Sequence, residues 1–472
     1  MDINEFLSMN FDFCSCQGRV EKKKFLENLE RHAPASAVWS SEGMQRNLVI
    51  KVIKASNLPK MDIVGVCDPF VRMWITDENL IKKTEKYSTV THNETADATF
   101  NAIREIEYTH ESNDVLHLEV FDEDLKTQSV ELSDFIGRIL VPIEDIVPGH
   151  VYNLPLRDDA GRETQSRLSF SRLTQPLVTR KRLFLVRHGE SEWNEAQEKK
   201  HLVNMMKQVD HPLNGVGIAQ AQELQAKWKP RFDKMSQTLK ETRNTSEDSW
   251  EADFFCAEKV FASPLTRAVQ TALLALTDHP AITEAGITLM RNLREVKNAG
   301  SRDTVGKAVG DDIRSRALGK LSKQLPGEDL AKLDKVTFDD NDVKSEWWLG
   351  TEQFEGEKDV KTRLHDVASS LKYEEAQNII LAGHSLYFRS FVREFIGSQC
   401  RVQQPELSQQ LIKHKLANGA CLGLEVEFSN ILPTILSAKL MFGTKVANGK
   451  EDGHQEPASP AEALKVDVDT ST

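Results

Sequence analysis

The chain has 472 residues, with 60 Lys and Arg against 72 Asp and Glu, a formal net charge of −12, and 39% hydrophobic and 28% charged side chains. That balance describes a soluble globular chain of about two to four domains; it excludes wholesale disorder and disfavours constitutive binding to nucleic acid or anionic membrane through bulk charge. No run of about 18 apolar residues predicts a spanning helix, no secretory pattern opens the chain, and six scattered cysteines without a C-x-x-C pair argue against a disulfide scaffold or zinc ribbon, so a reducing, cytoplasmic setting is expected.

Residues 1–45 read as a leader, partly helical or disordered: Phe25, Leu26 and Leu29 have helical spacing, and Ala33-Pro34-Ala35-Ser36 breaks the pattern. From Arg46 to Thr174 short alternating runs (Leu48, Ile50, Val52; Leu116, Leu118, Val120; Leu168, Phe170) are separated by turns such as Asn57-Leu58-Pro59 and Pro148-Gly149, which predicts an all-β sandwich. Residues 175–180, around Gln175-Pro176, read as a linker. Over 181–446 short apolar strands (Leu183–Val186, Lys259–Ala262, Gly286–Met290, Asn378–Ala382) alternate with helical stretches (Thr266–Leu276, Tyr387–Phe395), which predicts an α/β domain with a mostly parallel sheet flanked by helices. The polar stretch Lys234–Asp253 reads as a surface insertion, and residues 447–472, with six acidic and two basic side chains, as a disordered acidic tail. The fold class is therefore multidomain, a β-sandwich followed by an α/β domain.

Two loops of the β region are rich in aspartate. One holds Asp62 and Asp68; the other holds Asp122 and Asp124 and continues to Asp134. Each aspartate alone suits a turn, but together they offer the oxygen ligands that a hard divalent cation requires. The segments Leu58-Pro-Lys-Met-Asp62, Gly65-Val-Cys-Asp68-Pro-Phe, Asp122-Glu-Asp124 and Asp134-Phe-Ile-Gly resemble the signature of C2 domains, the calcium- and phospholipid-binding sandwiches, over residues 46–174. The resemblance implies that Asp62, Asp68, Asp122, Asp124 and Asp134 ligate calcium, although the interval from Asp124 to Asp134 is longer than is usual there. The region carries 15 Lys and Arg against 22 Asp and Glu, so bound calcium would reverse the local sign at the loops. Lys82, Lys83 and Lys86 form a modest basic cluster, read as a solvated face ahead of a headgroup site.

The second constellation lies where strands end. Leu183–Val186 leads into Arg187-His188-Gly189-Glu190, Val260-Phe-Ala into Ser263-Pro264-Leu265-Thr266-Arg267, Leu289-Met290 into Arg291-Asn292-Leu293-Arg294-Glu295, and Ile379–Ala382 into Gly383-His384-Ser385. Ligands of α/β sheets bind beyond the carboxyl ends of strands. Arginine forks suit a phosphate, a neutral histidine can attack phosphorus, and a carboxylic acid can protonate the departing alkoxide. Ser263-Pro264 also has a plain reading as a helix cap followed by a first-turn proline.

The run Arg187-His188-Gly189-Glu190-Ser-Glu-Trp-Asn194 resembles the opening signature of the histidine phosphatase superfamily, the phosphoglycerate mutase-like fold. Pro212-Leu-Asn with Gly217, Ser263-Pro-Leu-Thr-Arg267, Leu293-Arg-Glu295 and Gly383-His384 follow in that family's order, over residues 181–445. The resemblance implies His188 as nucleophile, Glu295 as proton donor, and Arg187, Arg267 and His384 as catalytic phosphoryl-binding groups, with Asn194 near the substrate. Lys297 and Arg302 read equally as contacts to an anionic substrate or as solvated surface. Segments characteristic of glycolytic mutases are missing after Glu295. The expectation is a phosphomonoester hydrolase acting through phosphohistidine, recruited to anionic phospholipid membrane by a calcium-binding C2 domain, with calcium serving binding and no cofactor needed for catalysis. Its partners would be a phosphorylated substrate of unknown identity and the membrane, not nucleic acid; its location would be cytoplasmic with calcium-dependent peripheral membrane association. The rivals are a mutase-like phosphotransferase and a calcium-dependent membrane adaptor with a non-catalytic phosphatase fold.

Overall fold

In the N-terminal half, alternate side chains fill one core. β1 (Gln45–Ser56) buries Leu48, Ile50 and Val52 completely, as expected for a strand with side chains alternating between faces. β2 (Pro69–Thr76), β3 (Tyr87–Ser88), β4 (Ala98–Thr109), β5 (Val115–Glu123), β6 (Ser133–Pro142), β7 (Val151–Arg157) and β8 (Glu163–Arg172) follow. The strand order is β3-β2-β5-β6-β7-β8-β1-β4. β6 and β7 pair at Arg138 and Arg157, and the strands on either side of this seam share one core that includes Val52, Val71, Leu118, Val120, Leu168 and Phe170. This is the predicted sandwich. The computed structural model describes residues 45–447 except 61–66, 90, 93–94, 112, 124–132, 175–178, 202, 204, 206–207, 243–248, 299–300, 351–353 and 430–431; the predicted leader and the acidic tail beyond Ala447 lie outside the described residues.

The second sheet is built from β9 (Thr179–Arg187), β10 (Lys259–Ala262), β11 (Ile287–Leu289), β12 (Phe338–Asp339), β13 (Asn378–Gly383), β14 (Cys421–Phe428) and β15 (Thr434–Leu440), in the order β12-β11-β10-β13-β9-β14-β15. The first five strands in that order run parallel, and β14 runs antiparallel to β9 and β15. Leu183, Phe184, Leu185 and Val186 are all fully buried, because a parallel strand covered on both faces is apolar throughout. Successive residues alternate between two cores. Phe184 and Val186 join one, with Ile218, Leu224 and Trp228 of α2 (Gly215–Thr242) and Val269 and Leu273 of α3 (Thr266–Leu276). Leu183 and Leu185 join the other, with Leu364 and Val367 of α4 (Glu357–Tyr373) and Phe388 and Phe391 of α5 (Ser385–Phe395). A short α1 (Glu192–Glu198) follows β9.

By its contacts the chain divides into one unit of residues 1–46 and 109–112 and another of 47–108 and 113–472. In the first, the described residues are those at the start of β1 and the end of β4 and just after it. Both sheets otherwise belong to the second.

Two boundary expectations change. β9 begins at Thr179, inside the expected linker, and Ala447 donates its backbone N–H to Lys415 at 2.8 Å, so order extends one residue into the expected tail. Lys234–Asp253 is more than a surface insertion: α2 continues through it to Thr242, and a further helix over Ser249–Phe255 buries Phe254 and Phe255. Met235 is buried on the α2 stripe that holds Trp228. Trp347 is buried, its indole N–H donating to the Ala308 carbonyl at 2.9 Å, while Trp348 is half-buried.

The loop after β9 crosses the start of α2 almost without clearance. A Cβ on Gly217 would stand 2.0 Å from the Glu190 carbonyl oxygen, and one on Gly189 would stand 2.3 Å from the Gly217 carbonyl oxygen. Gly217→Ala should therefore destabilise the protein by about 1–3 kcal/mol through overpacking, measured by denaturant unfolding.

Candidate active site

Strand register gathers the site. Arg187 lies opposite Gly383, Ala382 opposite Ala262, and Ala262 opposite Leu289. The ladder continues one step beyond the strands: His188 N–H donates to Gly383, Ser263 N–H to Ala382 and Met290 N–H to Ala262, at 3.0, 2.9 and 2.9 Å. His188, Ser263, His384 and the turn Arg291–Leu293 therefore leave one edge of the sheet together.

His188 is 3% exposed. Its Nδ1 lies 2.6 Å from the Gly189 carbonyl, which can only accept, so the ring proton sits on Nδ1. The lone pair on Nε2 faces the Nε–H of Arg267 at 3.2 Å. Burial first, then the charges of Arg267 and Arg187, hold the imidazole well below its ordinary pKa of 6.5 and keep it neutral. The His384 ring stands 5.1 Å away. Its Nε2 is 2.7 Å from the hydroxyl of Ser263, and its Nδ1 is fully buried with no hydrogen-bond partner among the described residues. Burial, followed by Arg267, depresses its pKa as well.

Arg267 is 1% exposed and held in place by Asp303: Nη1 donates to the Asp303 carbonyl at 2.7 Å, and Nη2 lies 3.3 Å from its carboxylate. Arg187 is also buried and donates to the Leu416 carbonyl. Glu295 is buried with Oε1 accepting from the backbone N–H groups of Val296 and Tyr387, both at 2.9 Å, and Oε2 from Leu386 at 3.2 Å. Burial raises its pKa above the ordinary 4.5 and outweighs those hydrogen bonds and the nearby Arg267. The structure thus brings Arg187, His188, Arg267, Glu295 and His384 to one region. Asn194 is otherwise engaged: its side-chain oxygen accepts from the backbone and hydroxyl of Ser191 in the capping box that opens α1. Lys297 is no surface residue; it is 2% exposed and donates to the Ser301 carbonyl. Arg302 is half-buried.

Several supporting residues carry no sequence signal. The cap expected from Ser263 is largely taken over by Asp210, whose carboxylate accepts from the Thr266 backbone at 2.8 Å and hydroxyl at 2.5 Å; Ser263 keeps a long contact from the Leu265 N–H at 3.4 Å and lies 2.7 Å from His384 Nε2. Glu355 receives Arg294 at 2.8 Å and Arg363 at 2.7 Å, and Arg363 also donates to the carbonyls of Asn292 and Arg294 at 2.9 and 2.6 Å. This buried network braces the segment that carries Glu295.

In the sandwich, Asp122 lies opposite Pro69 on β2 and opposite Asp134 on β6. The Asp68 N–H donates to Asp122 at 2.6 Å. Asp68, Asp122 and Asp134 therefore meet at one end of three adjacent strands; Asp62 and Asp124 lie outside the described residues. Among the described residues no group of three or more His, Cys, Asp or Glu is drawn together closely enough to hold a metal ion. Among them, too, no helix is long and apolar enough to cross a membrane. Lys83 pairs with buried Asp114 at 2.7 Å and Lys86 lies 4.0 Å over Trp74, so the basic cluster is partly spent on internal contacts.

Residues 46–157 match the family model for the C2 domain, and residues 183–248 match that for the histidine phosphatase superfamily (branch 1). Synaptotagmin-A of Diplobatis ommata is 31% identical over 106 residues, 22% of this chain and 23% of the relative. Synaptotagmin-1 of Aplysia californica matches with the same identity and coverage, so the chain spans 23% of the length of these curated relatives. Among solved structures, a C2 domain of plant Extended Synaptotagmin 1 aligns with 28% of this chain and 95% of its own at 17% identity, with a TM-score of 0.23. Arg187 and His188 fall within the second family match; Arg267, Glu295 and His384 lie beyond it and join them through the sheet register.

Nitrogen NMR of the histidine rings should find His188 as the neutral Nδ1–H tautomer at pH 7 and still neutral at pH 6. Arg267→Ala should raise its pKa, because a neighbouring positive charge is removed.

Proposed function

From a C2 domain followed by a histidine phosphatase superfamily domain, we propose a metal-independent phosphomonoester hydrolase that works through phosphohistidine and is recruited to anionic membrane by calcium. The observation that supports it best is the nucleophile's setting: a neutral His188 with its Nε2 unprotonated, and with Arg267, Arg187 and His384 around it.

A phosphoryl group seated among Arg187, Arg267 and the Nδ1 edge of His384 has its equatorial charge held by preorganised donors. His188 Nε2 attacks phosphorus as the bond to the leaving oxygen breaks. Glu295, whose pKa burial raises, gives its proton to that oxygen and the alcohol departs. Water then attacks the phosphohistidine, the Glu295 carboxylate takes the water's proton, inorganic phosphate leaves, and both residues return to their starting states. In the sandwich, the carboxylates of Asp68, Asp122 and Asp134, with Asp62 and Asp124 assigned from sequence, suit the oxygen preference of calcium. The ion would supply positive charge at the loops and turn an acidic surface towards anionic lipid.

With chelator present, His188→Ala should lower hydrolysis of an aryl phosphate by about three orders of magnitude, and undiminished turnover in that variant would sink the reading. In the parent protein the acid limb of kcat/KM, corrected for substrate ionisation, should lie below pH 6.5, since the His188 pKa is depressed; Glu295→Gln should abolish the alkaline limb. Vesicles of phosphatidylserine and phosphatidylcholine should sediment the full chain with calcium and not with chelator, and Asp122→Asn should weaken that binding. Equal sedimentation in both conditions would remove the calcium switch.

A further inference from the structure

Glu295 is held from two directions. On one side it receives the N–H groups that open α5. On the other it is tethered through Arg294 to the turn Arg291–Leu293, with Arg294 N–H donating to the Arg291 carbonyl at 3.2 Å. The anchor of that turn is Arg291, which is 5% exposed. Its backbone N–H donates to Asp342 at 2.8 Å, but its guanidinium reaches into the β-sandwich. Nη1 stands 2.5 Å from Nε2 of His92, and Nη2 donates to the Thr91 carbonyl at 3.0 Å.

The chemistry of this contact is one-directional. A guanidinium only donates, so His92 accepts through Nε2 and carries its proton on Nδ1, which lies 3.5 Å from the Ser345 hydroxyl. Burial and the Arg291 charge hold His92 neutral. The ring packs edge-on against Phe100 at 4.9 Å. His92 N–H donates to the Pro69 carbonyl at 3.0 Å, and the Thr91 hydroxyl donates to Glu123. The anchor is therefore rooted in β2, which Asp68 immediately precedes, and in β5, which carries Asp122. The same face is tied down by β4: Arg104 pairs with Asp366, and Glu105 accepts from Lys372 at 2.5 Å and Tyr373 at 2.9 Å.

We infer that Arg291 is a positioning residue for Glu295 and that the sandwich, through His92 and Thr91, supplies the anchor that fixes it. This rests on the proposed function. The Arg291 Nε–H already has no partner among the described residues, so without the His92 acceptor the buried cation loses a second match and keeps only the Thr91 carbonyl for its guanidinium. The turn then shifts to find another partner, and Glu295 leaves the position from which it protonates the departing oxygen. The phosphoryl-binding groups, on other strand ends, keep theirs.

The test exploits leaving-group dependence. A proton donor matters little for p-nitrophenyl phosphate and much for phenyl phosphate, whose phenolate is the more basic. In the full chain, His92→Leu should lower the phenyl to p-nitrophenyl ratio of kcat/KM, which reports the step that expels the leaving group, about tenfold. Glu295→Gln should lower it at least as far. His92→Gln, which keeps an acceptor, should stay within about twofold of the parent. The ratio is taken within one preparation, so it does not depend on the fraction folded. An unchanged ratio in His92→Leu with a lowered one in Glu295→Gln overturns the inference and leaves the proposed mechanism standing. An unchanged ratio in Glu295→Gln overturns Glu295 as proton donor, and the inference with it.

Discussion

The hydrogen bond from His188 N–H to the Gly383 carbonyl, one step past the ends of β9 and β13, is the constraint from which the site follows. It aligns two parallel strands so that both release a histidine at the same level, and the rings meet at 5.1 Å. A slip by one residue would send each side chain to the opposite face. That slip is blocked by burial, because Leu183 and Leu185 belong to one core and Phe184 and Val186 to the other, and none of the four has any exposed surface. Site geometry is thus maintained by apolar residues that take no part in it.

Bringing arginines into so dry a region requires partners, since a buried cation left unmatched is strongly destabilising. Arg267 is matched by the carboxylate and carbonyl of Asp303, and Arg363 by Glu355 and two carbonyls. The same burial acts on both groups. It disfavours charge on His188 and on Glu295 alike, lowering the pKa of the first and raising that of the second. The surrounding arginines reinforce the first effect and only partly offset the second.

The sandwich meets a different demand. One of its two edge strands among the described residues, β4, would present an unpaired edge, which sheets commonly cover or charge. Arg104 and Glu105 on this strand instead make ion pairs with Asp366 and Lys372 of α4. The described loop aspartates, Asp68, Asp122 and Asp134, sit where β2, β5 and β6 end or begin.

Local sequence determined the element types and placed the candidate site residues at strand ends. The strand Lys259–Ala262 and the helix Thr266–Leu276 have the expected bounds, because a short apolar run and a 3.6-residue period are each written within a dozen residues. The polar residues that end those strands were legible for the same reason. In α2 the polar composition beyond Lys234 hid a helix that runs on to Thr242. Only the tertiary structure decided that Ser263 serves His384 while Asp210 caps its helix, that Asp303 holds Arg267, that Glu355 and Arg363 brace Glu295, and that Arg291 reaches His92 across 199 positions. Such partners are chosen by where buried charges find hydrogen bonds after the sheets have packed, and that choice leaves no period or spacing along the chain.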